Sequence, residues 1–427
     1  MHLTPFWTDD APSPANISSP QPSSVDVAIV GSGYTGLHAA YFLASQGIDV
    51  AVLEAQSVGW GASSRNGGMV NPGLKLSAPE LFHRFGAQKG AQLWHWSMEA
   101  INFVEDFVKT QQISCDFARH GQVVLAYKPK HFTSLSAEVE WHKRYLGDTI
   151  PQIVGPGELA SEIGTPGYFG GVLDDRAAGL HPARYVFGLA QAASQAGAKI
   201  VEGVAVRTIQ SVGNRYHLET PYGALDAGKV LLATNGYTTN LIPAARRGIF
   251  SGGSYIITTE PLSDEAQQSV SPRGRMFYDS KHFLNYFRLT PDGRMLFGGR
   301  HNLSTDLPLE QSAAELRRRM VEVFPQLANV QVSHSWSGKL GLTFDLMPHA
   351  GRLDAGSLRG IYYAYGYGGH GVGIASYLGH MMGRLLADQP SDNPILDIPH
   401  ARYFFTPYER IYLPIVSLWF RFLDRIS

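Results

Sequence analysis

The chain of 427 residues has a single cysteine, no excess of either charge and no apolar run long enough to cross a bilayer as a helix. Cys115 can close no intrachain disulfide, and it lacks the companions that a cysteine-held zinc or iron–sulfur centre requires. A reducing, cytoplasmic setting is therefore expected. Lysine and arginine total 35 against 36 acids, so no net field gathers nucleic acid or an anionic membrane surface. The first 24 residues contain no lysine or arginine and many Pro and Ser. They offer neither the basic nor the apolar region of a secretory signal and read as a loose arm. The histidines show no pair at metal-ligand spacing on a recognisable helix, and no metal is expected.

Among what is present, 44% apolar residues on this length support a sizeable core and two domains. Val25 to Val30 is a short β-branched run that suits a strand buried on both faces. It runs into Gly31-Ser-Gly33-Tyr34-Thr35-Gly36, with a helix expected from Leu37 to Ser45 and Gly47 as its stop. In such a strand–loop–helix unit the glycines permit a tight turn, close approach to a pyrophosphate and close helix packing, and the backbone amides at the helix start hold the phosphates. A second strand, Asp49 to Leu53, ends at Glu54-Ala55, with Glu54 23 positions after Gly31. A carboxylate there accepts from ribose hydroxyls and repels a 2′-phosphate.

NAD and FAD share this fingerprint, and the following segment distinguishes them. Val58 to Gly68 is a glycine-dense loop carrying Gly61, Ala62, Ser63, Ser64, Arg65, Asn66, Gly67 and Gly68. Its hydroxyls and cation suit a cofactor with a second phosphate and a large ring system. A matching strand–glycine–helix unit lies late in the chain. Ile361 to Ala364 precedes Gly366-Tyr-Gly368-Gly369-His370-Gly371-Val372-Gly373 and a helix from Ile374 to Leu386. Backbone amides at that helix start can face an electron-rich ring carbonyl.

With GASSRNGG as its most specific element, followed by Gly179–Pro182, Val230–Gly236, Tyr255–Pro261, Asn285–Arg288 and Gly366–Gly371, the chain resembles the D-amino-acid oxidase-like family of FAD oxidoreductases, in the branch similar to γ-glutamylputrescine oxidoreductase. The likeness runs from about Val25 to Asp388. It implies an α/β fold in which a Rossmann-like FAD-binding domain is interleaved with a substrate domain built on an antiparallel sheet. It also implies flavin contacts at Val206, Ala233, Thr234, Asn235 and Gly341. Some members link the flavin through a late cysteine or an early-loop histidine. Neither stands in place here, so noncovalent FAD is expected.

The expected organisation is an N-terminal arm over 1–24, an FAD-binding domain over 25–85, 165–243 and 335–390, a substrate domain over 86–164 and 244–334, and an extension over 391–427. Alternating segments at 121–127, 254–260, 282–289 and 294–299 predict the antiparallel sheet, with helices at 87–109 and 312–324 covering it. Tyr408 to Ile426 reads as a helix docked on the body, with a membrane-surface helix as the second reading.

Flavin oxidation of an amine needs chiefly a positioned neutral substrate. Tyr255 is the expected aromatic wall, with Tyr286 and Arg288 on the same sheet. His370 is placed to hydrogen-bond the flavin or hold the amine neutral, and Lys339 to assist oxygen reduction. The expected substrate is a small amine, such as a γ-glutamylated polyamine or an N-alkyl amino acid, with oxygen or another acceptor reoxidising the flavin. A 2-hydroxy acid substrate, or a flavin-binding protein without turnover, stays open as an alternative.

Overall fold

The protein is described by a computed structural model covering residues 1–14, 17–300, 302–354 and 356–426, with backbone alone at 425–426. Its first layer is a sheet in the order His349–Arg352, Tyr362–Tyr365, Gly223–Leu232, Ser24–Val30, Val50–Leu53, Lys199–Val201. The last five are mutually parallel. Their apolar runs are buried on both faces, which is why these strands do not alternate. Thr208–Val212 and Arg215–Thr220 extend Gly223–Leu232 as an antiparallel meander. Helices Tyr34–Ser45, Ala78–Thr110, Pro182–Gln195 and Gly371–Leu386 share one large core on one side of this sheet. Tyr34–Ser45 and Gly371–Leu386 lie against each other because Gly379 admits the backbone of Thr35. A Cβ at Gly379 would stand 2.4 Å from the Thr35 carbonyl oxygen.

The second layer is a sheet in the order Val332–Leu342, Phe250–Pro261, Arg294–Gly299, Asn285–Leu289, Met276–Asp279, Gln122–Leu125, Gly171–Asp174, Gln152–Val154. Every neighbouring pair is antiparallel except Met276–Asp279 with Gln122–Leu125. Helix Leu309–Val323 closes one face, with Leu316 and Met320 in a core with Phe277, Phe287 and Phe297. The fold class is the one expected, a Rossmann-like layer interleaved with an antiparallel substrate layer.

Several details differ from the sequence reading. The helix expected at 87–109 belongs to Ala78–Thr110, and its Leu93, Trp96, Ile101 and Val104 enter the core beside the parallel sheet rather than covering the antiparallel one. An apolar stripe marks a helix face but does not say which sheet the chain path brings to it. Gly171–Asp174, placed in the FAD-binding segment, is hydrogen-bonded into the antiparallel sheet, and Val332–Leu342 continues that sheet past residue 335. The described part of the arm is also not loose. It forms a short helix, Phe6–Asp10, whose Phe6 and Trp7 are buried in the main core.

Helix Glu409–Ile426 docks through Leu413, Val416 and Phe420 onto Phe250, Phe283 and Leu303. Among the described residues no helix is long and apolar enough to cross a membrane.

Candidate active site

The strand Ser24–Val30 delivers Gly31 to the mouth of a cavity of about 640 Å³ that lies between the two layers. Gly31 has φ +107, and a Cβ there would stand 2.8 Å from the Ala233 carbonyl oxygen. At Gly36 a Cβ would meet the Gly31 carbonyl oxygen at 2.0 Å, so helix Tyr34–Ser45 can start this close to the strand only with glycine. The helix start, Gly33 to Thr35, lines the cavity, and so does the start of Gly371–Leu386 with Gly368, Gly369, His370, Gly371 and Val372. Two helix N-termini, each a site of partial positive charge, therefore face one space. The Thr35 and Tyr367 hydroxyls bond at 2.6 Å and tie the two loops together.

Glu54 stands at the end of Val50–Leu53 on the cavity wall. Its Oε2 accepts from the Ser32 amide at 3.0 Å and hydroxyl at 2.7 Å, and its Oε1 accepts from the Gln56 amide. The early glycine loop folds onto itself through Asn66, whose Nδ2 donates to the Ala62 and Ser63 carbonyls while Oδ1 accepts from Gly68. Arg65 donates to the Trp60 carbonyl at 2.7 Å, and partial burial lowers its pKa. Ala55, Gly61, Ala62, Ser63, Gly67, Val206, Ala233, Thr234, Asn235 and Gly341 also line the cavity. Gly36, Ser64 and Gly68 do not, and pack behind its wall.

The expected catalytic residues divide. His370 and Lys339 line the cavity, Lys339 with its ammonium 5.6 Å from the Tyr237 ring centroid. The His370 Nδ1 is buried with no hydrogen-bond partner. Burial, then the charge of Lys75, lower its pKa to about 3, so the imidazole is neutral.

Tyr255 and Arg288 are not in the cavity. In the strand Phe250–Pro261 side chains alternate, and Ser254 and Ile256 face the cavity while Tyr255 points into the core of the antiparallel layer. Its hydroxyl donates to the Ser304 carbonyl at 3.1 Å and accepts from the Leu307 amide at 3.0 Å. Arg288 is fully buried behind the early loop, donating to the Gly68 and Leu180 carbonyls. Burial lowers its pKa to about 10.

The aromatic wall is Tyr286. Its ring lies over Gly298, the residue directly across the ladder, where a Cβ would come within 2.2 Å of the ring. The Tyr286 and Ser254 hydroxyls are 3.1 Å apart. Asn71, Lys75, Glu138, Tyr278, Leu284 and Arg300 also line the cavity, and the sequence singles out none of them. Alternation from Tyr255 would have found Ser254 and Ile256. Nothing local marks Arg300, which reaches the site from the end of the neighbouring strand.

Outside the cavity, His2, Asp9 and His334 place potential ligand atoms within 4.8 Å of one another among the described residues. The two imidazoles stack at 4.9 Å.

The cavity meets the needs of FAD. Its glycine cradle would be filled by a Cβ, two helix starts face it, and a carboxylate is fixed where a ribose would lie. Residues 26–385 match the family described as DAO: FAD dependent oxidoreductase. The chain is 34% identical over 362 residues to a probable oxidoreductase OrdL of Haemophilus influenzae, covering 84% of this chain and 81% of that protein. It is 30% identical over 407 residues to γ-glutamylputrescine oxidoreductase of Escherichia coli strain K12, covering 94% and 93%. The crystal structure of glycine oxidase from Geobacillus kaustophilus superposes with a TM-score of 0.77 at 19% identity, covering 89% of this chain and all of that one. With the match spanning both glycine cradles and the sheets that carry them, the chain belongs to the DAO family of FAD-dependent oxidoreductases.

Proposed function

We propose that this enzyme oxidises a small amine that also carries an anionic group, of which a γ-glutamylated amine or an N-alkyl amino acid is an example. The observation that carries the proposal is Arg300. Its guanidinium lines the cavity beyond the FAD cradle, and burial lowers its pKa against the opposing effect of the neighbouring Tyr286 hydroxyl. Among the described residues no carboxylate pairs with it. A half-buried cation without a counterion is costly, and a substrate carboxylate reduces that cost on binding. Lys75 lines the same end of the cavity and adds a second positive charge.

The bound flavin supplies the hydride acceptor. Arg300 fixes the anionic end of the substrate, and the Tyr286 ring and Ile256 confine its carbon chain. His370, neutral at working pH, accepts a hydrogen bond from the amine without competing for charge. With FAD bound, loss of hydride from carbon to the flavin and of a proton from nitrogen to solvent would give an imine, which water would convert to a carbonyl compound and ammonia or the smaller amine. Oxygen or another acceptor would take the two electrons from the reduced flavin. The chemistry rests on positioning more than on protein acids and bases.

The test is anaerobic mixing of the flavin-loaded enzyme with γ-glutamylputrescine, N-methylglycine, putrescine and lactate, followed at the flavin absorbance. Bleaching by an amine that bears a carboxylate, with little by putrescine, supports the reading. Bleaching by lactate alone makes the enzyme a 2-hydroxy-acid oxidoreductase, and bleaching by putrescine alone removes Arg300 as an anchor.

A further inference from the structure

The helix Glu409–Ile426 is apolar on two sides. Its inner row, Leu413, Val416 and Phe420, is spent on docking, and Ser417 receives the Leu303 amide at 3.1 Å. Its outer row is also apolar. Tyr408, Ile411, Ile415, Leu418, Trp419 and Phe422 recur at three- and four-residue spacing, each at least half exposed. At the helix start the patch continues into Phe404, which is 79% exposed. An uninterrupted apolar face of this kind on a folded surface marks an interaction site.

The charges say what covers it. The helix's two acids with described side chains are turned into the body. Glu409 pairs with the buried Arg246, and the Asp424 carboxylate accepts from the His282 and Phe283 amides. Its two cations with described side chains are exposed: Arg410 at 88%, near Asp306 at 3.6 Å, and Arg421 as well. The outward face is thus aromatic and aliphatic with a cationic rim. A two-fold pairing of this face with a second copy would bring Arg410 and Arg421 of both copies together, with no acid of the helix left outward to meet them. An anionic bilayer surface offers a match. It accepts Trp, Tyr and Phe at the headgroup boundary and attracts the arginines.

We propose that the outward face of Glu409–Ile426 lies on anionic phospholipid membrane, which makes this oxidoreductase a peripheral membrane protein held by one amphipathic helix. The chain as a whole is close to neutral, with a formal net charge of −1, so the attraction is local to this face. The helix lies flat on the body through its inner row and does not span the bilayer. The contact is independent of the oxidation chemistry and stands or falls apart from it.

The experiment is flotation of the full-length, flavin-loaded protein with vesicles of phosphatidylcholine alone and of phosphatidylcholine containing phosphatidylglycerol, compared with the Ile415→Glu, Trp419→Glu double variant. Both positions are exposed, so the variant keeps its fold, checked by circular dichroism and bound-flavin absorbance. Wild type is expected to float with the anionic vesicles and less with the neutral ones, and to be released by high salt. The double variant is expected to partition at least about tenfold less. Absence of wild-type flotation with either vesicle overturns the proposal, and so does flotation that the double substitution leaves unchanged. If wild type ignores vesicles and elutes from gel filtration as a dimer that the variant breaks, the face belongs to a second copy and the membrane assignment is wrong.

Discussion

The indole N–H of Trp7 donates to the backbone carbonyl of Asn66 at 2.9 Å, across 59 residues of sequence. The N-terminal helix thereby pins the glycine loop that builds one wall of the FAD cradle. The guanidinium of Arg288 sits 5.6 Å from the Trp7 ring centroid, and the His181 ring packs on its edge at 4.7 Å. Trp7 is fully buried, so this contact is structural and tied to the cofactor loop at the same time.

Trp7→Ala is expected to cost about 3–5 kcal/mol of stability, as truncation of a buried aromatic does. Trp7→Phe keeps most of the volume and loses the hydrogen bond, at about 1 kcal/mol. If the arm holds the loop, both variants bind FAD more weakly in the same order, measured by flavin fluorescence on titration. Destabilised variants with unchanged FAD affinity would show that the arm supports the core alone.

Tyr286→Ala is expected to slow anaerobic flavin reduction by roughly tenfold or more, because the ring that confines the substrate chain is lost. Tyr255→Phe leaves that rate within about twofold and costs about 1–2 kcal/mol in denaturant unfolding, since its hydroxyl serves only the 304–307 loop. The reverse pattern of rates would return Tyr255 to the site.

The contrast between these two tyrosines shows how far the sequence is legible. The strand–glycine–helix units at Gly31 and Gly366 are readable because one backbone conformation demands glycine at fixed spacing, and the parallel sheet follows from apolar runs without alternation. The strand holding Tyr255 is readable too, but which of its faces meets the cavity is set by the register with Arg294–Gly299 and Val332–Leu342. That register is a long-range property. Arg300 is hidden for the same reason, since an arginine closing a strand is ordinary until the fold leaves it half-buried on the cavity wall without a carboxylate partner. The arm reads as loose because Pro and Ser dominate its composition, whereas its Phe6 and Trp7 are buried in the main core.

Arg300→Met is expected to raise KM for a carboxylate-bearing amine by about ten- to a hundredfold, the loss of one charge-assisted hydrogen bond of roughly 1.5–3 kcal/mol. The effect on kcat is smaller if the anchor acts equally in ground and transition states. Arg300→Lys recovers part of the loss. Steady-state kinetics on the preferred substrate decide the matter, and an unchanged KM would place the anionic group elsewhere.

Acid stability is expected to depend on His400. Its half-buried ring, with Nε2 out of solvent, stacks on His349 at 4.3 Å and bonds through Nδ1 to the Tyr363 hydroxyl at 2.8 Å. Burial, then the neighbouring His349, lower its pKa to about 3 from 6.5. The unfolded chain therefore takes up this proton first, so the contribution is complete above pH 6.5 and is lost as pH falls from there toward 3, at up to about 1.4 kcal/mol per pH unit. Asp345, held down at about 2 by its bond from His349 against the opposing effect of burial, contributes its loss only below its ordinary 3.8. His400→Asn should accordingly flatten the decline in urea stability between about pH 6.5 and 5 and leave the stability at pH 8 less affected. An identical decline in both proteins would assign the acid sensitivity to other groups.

His370 leads to a prediction about rate instead. It precedes the first turn of Gly371–Leu386, its Nδ1 is buried without a partner, and its pKa is lowered to about 3, so it stays neutral across the range in which amines ionise. An ionisation seen in the reductive rate should then belong to the substrate. Below the amine's own pKa the rate should rise about tenfold per pH unit and level off above it, because only the neutral amine releases hydride readily. Two substrates with different amine pKa values should give profiles displaced by that difference. His370→Asn should lower the plateau, by removing a hydrogen-bonding partner, without moving the midpoint. The measurement is stopped-flow anaerobic reduction at substrate well below saturation, where the second-order rate reports the free amine, from pH 6 to 10. A midpoint common to both substrates, and absent in His370→Asn, would make His370 the titrating base and reverse the assignment of its charge in the folded enzyme.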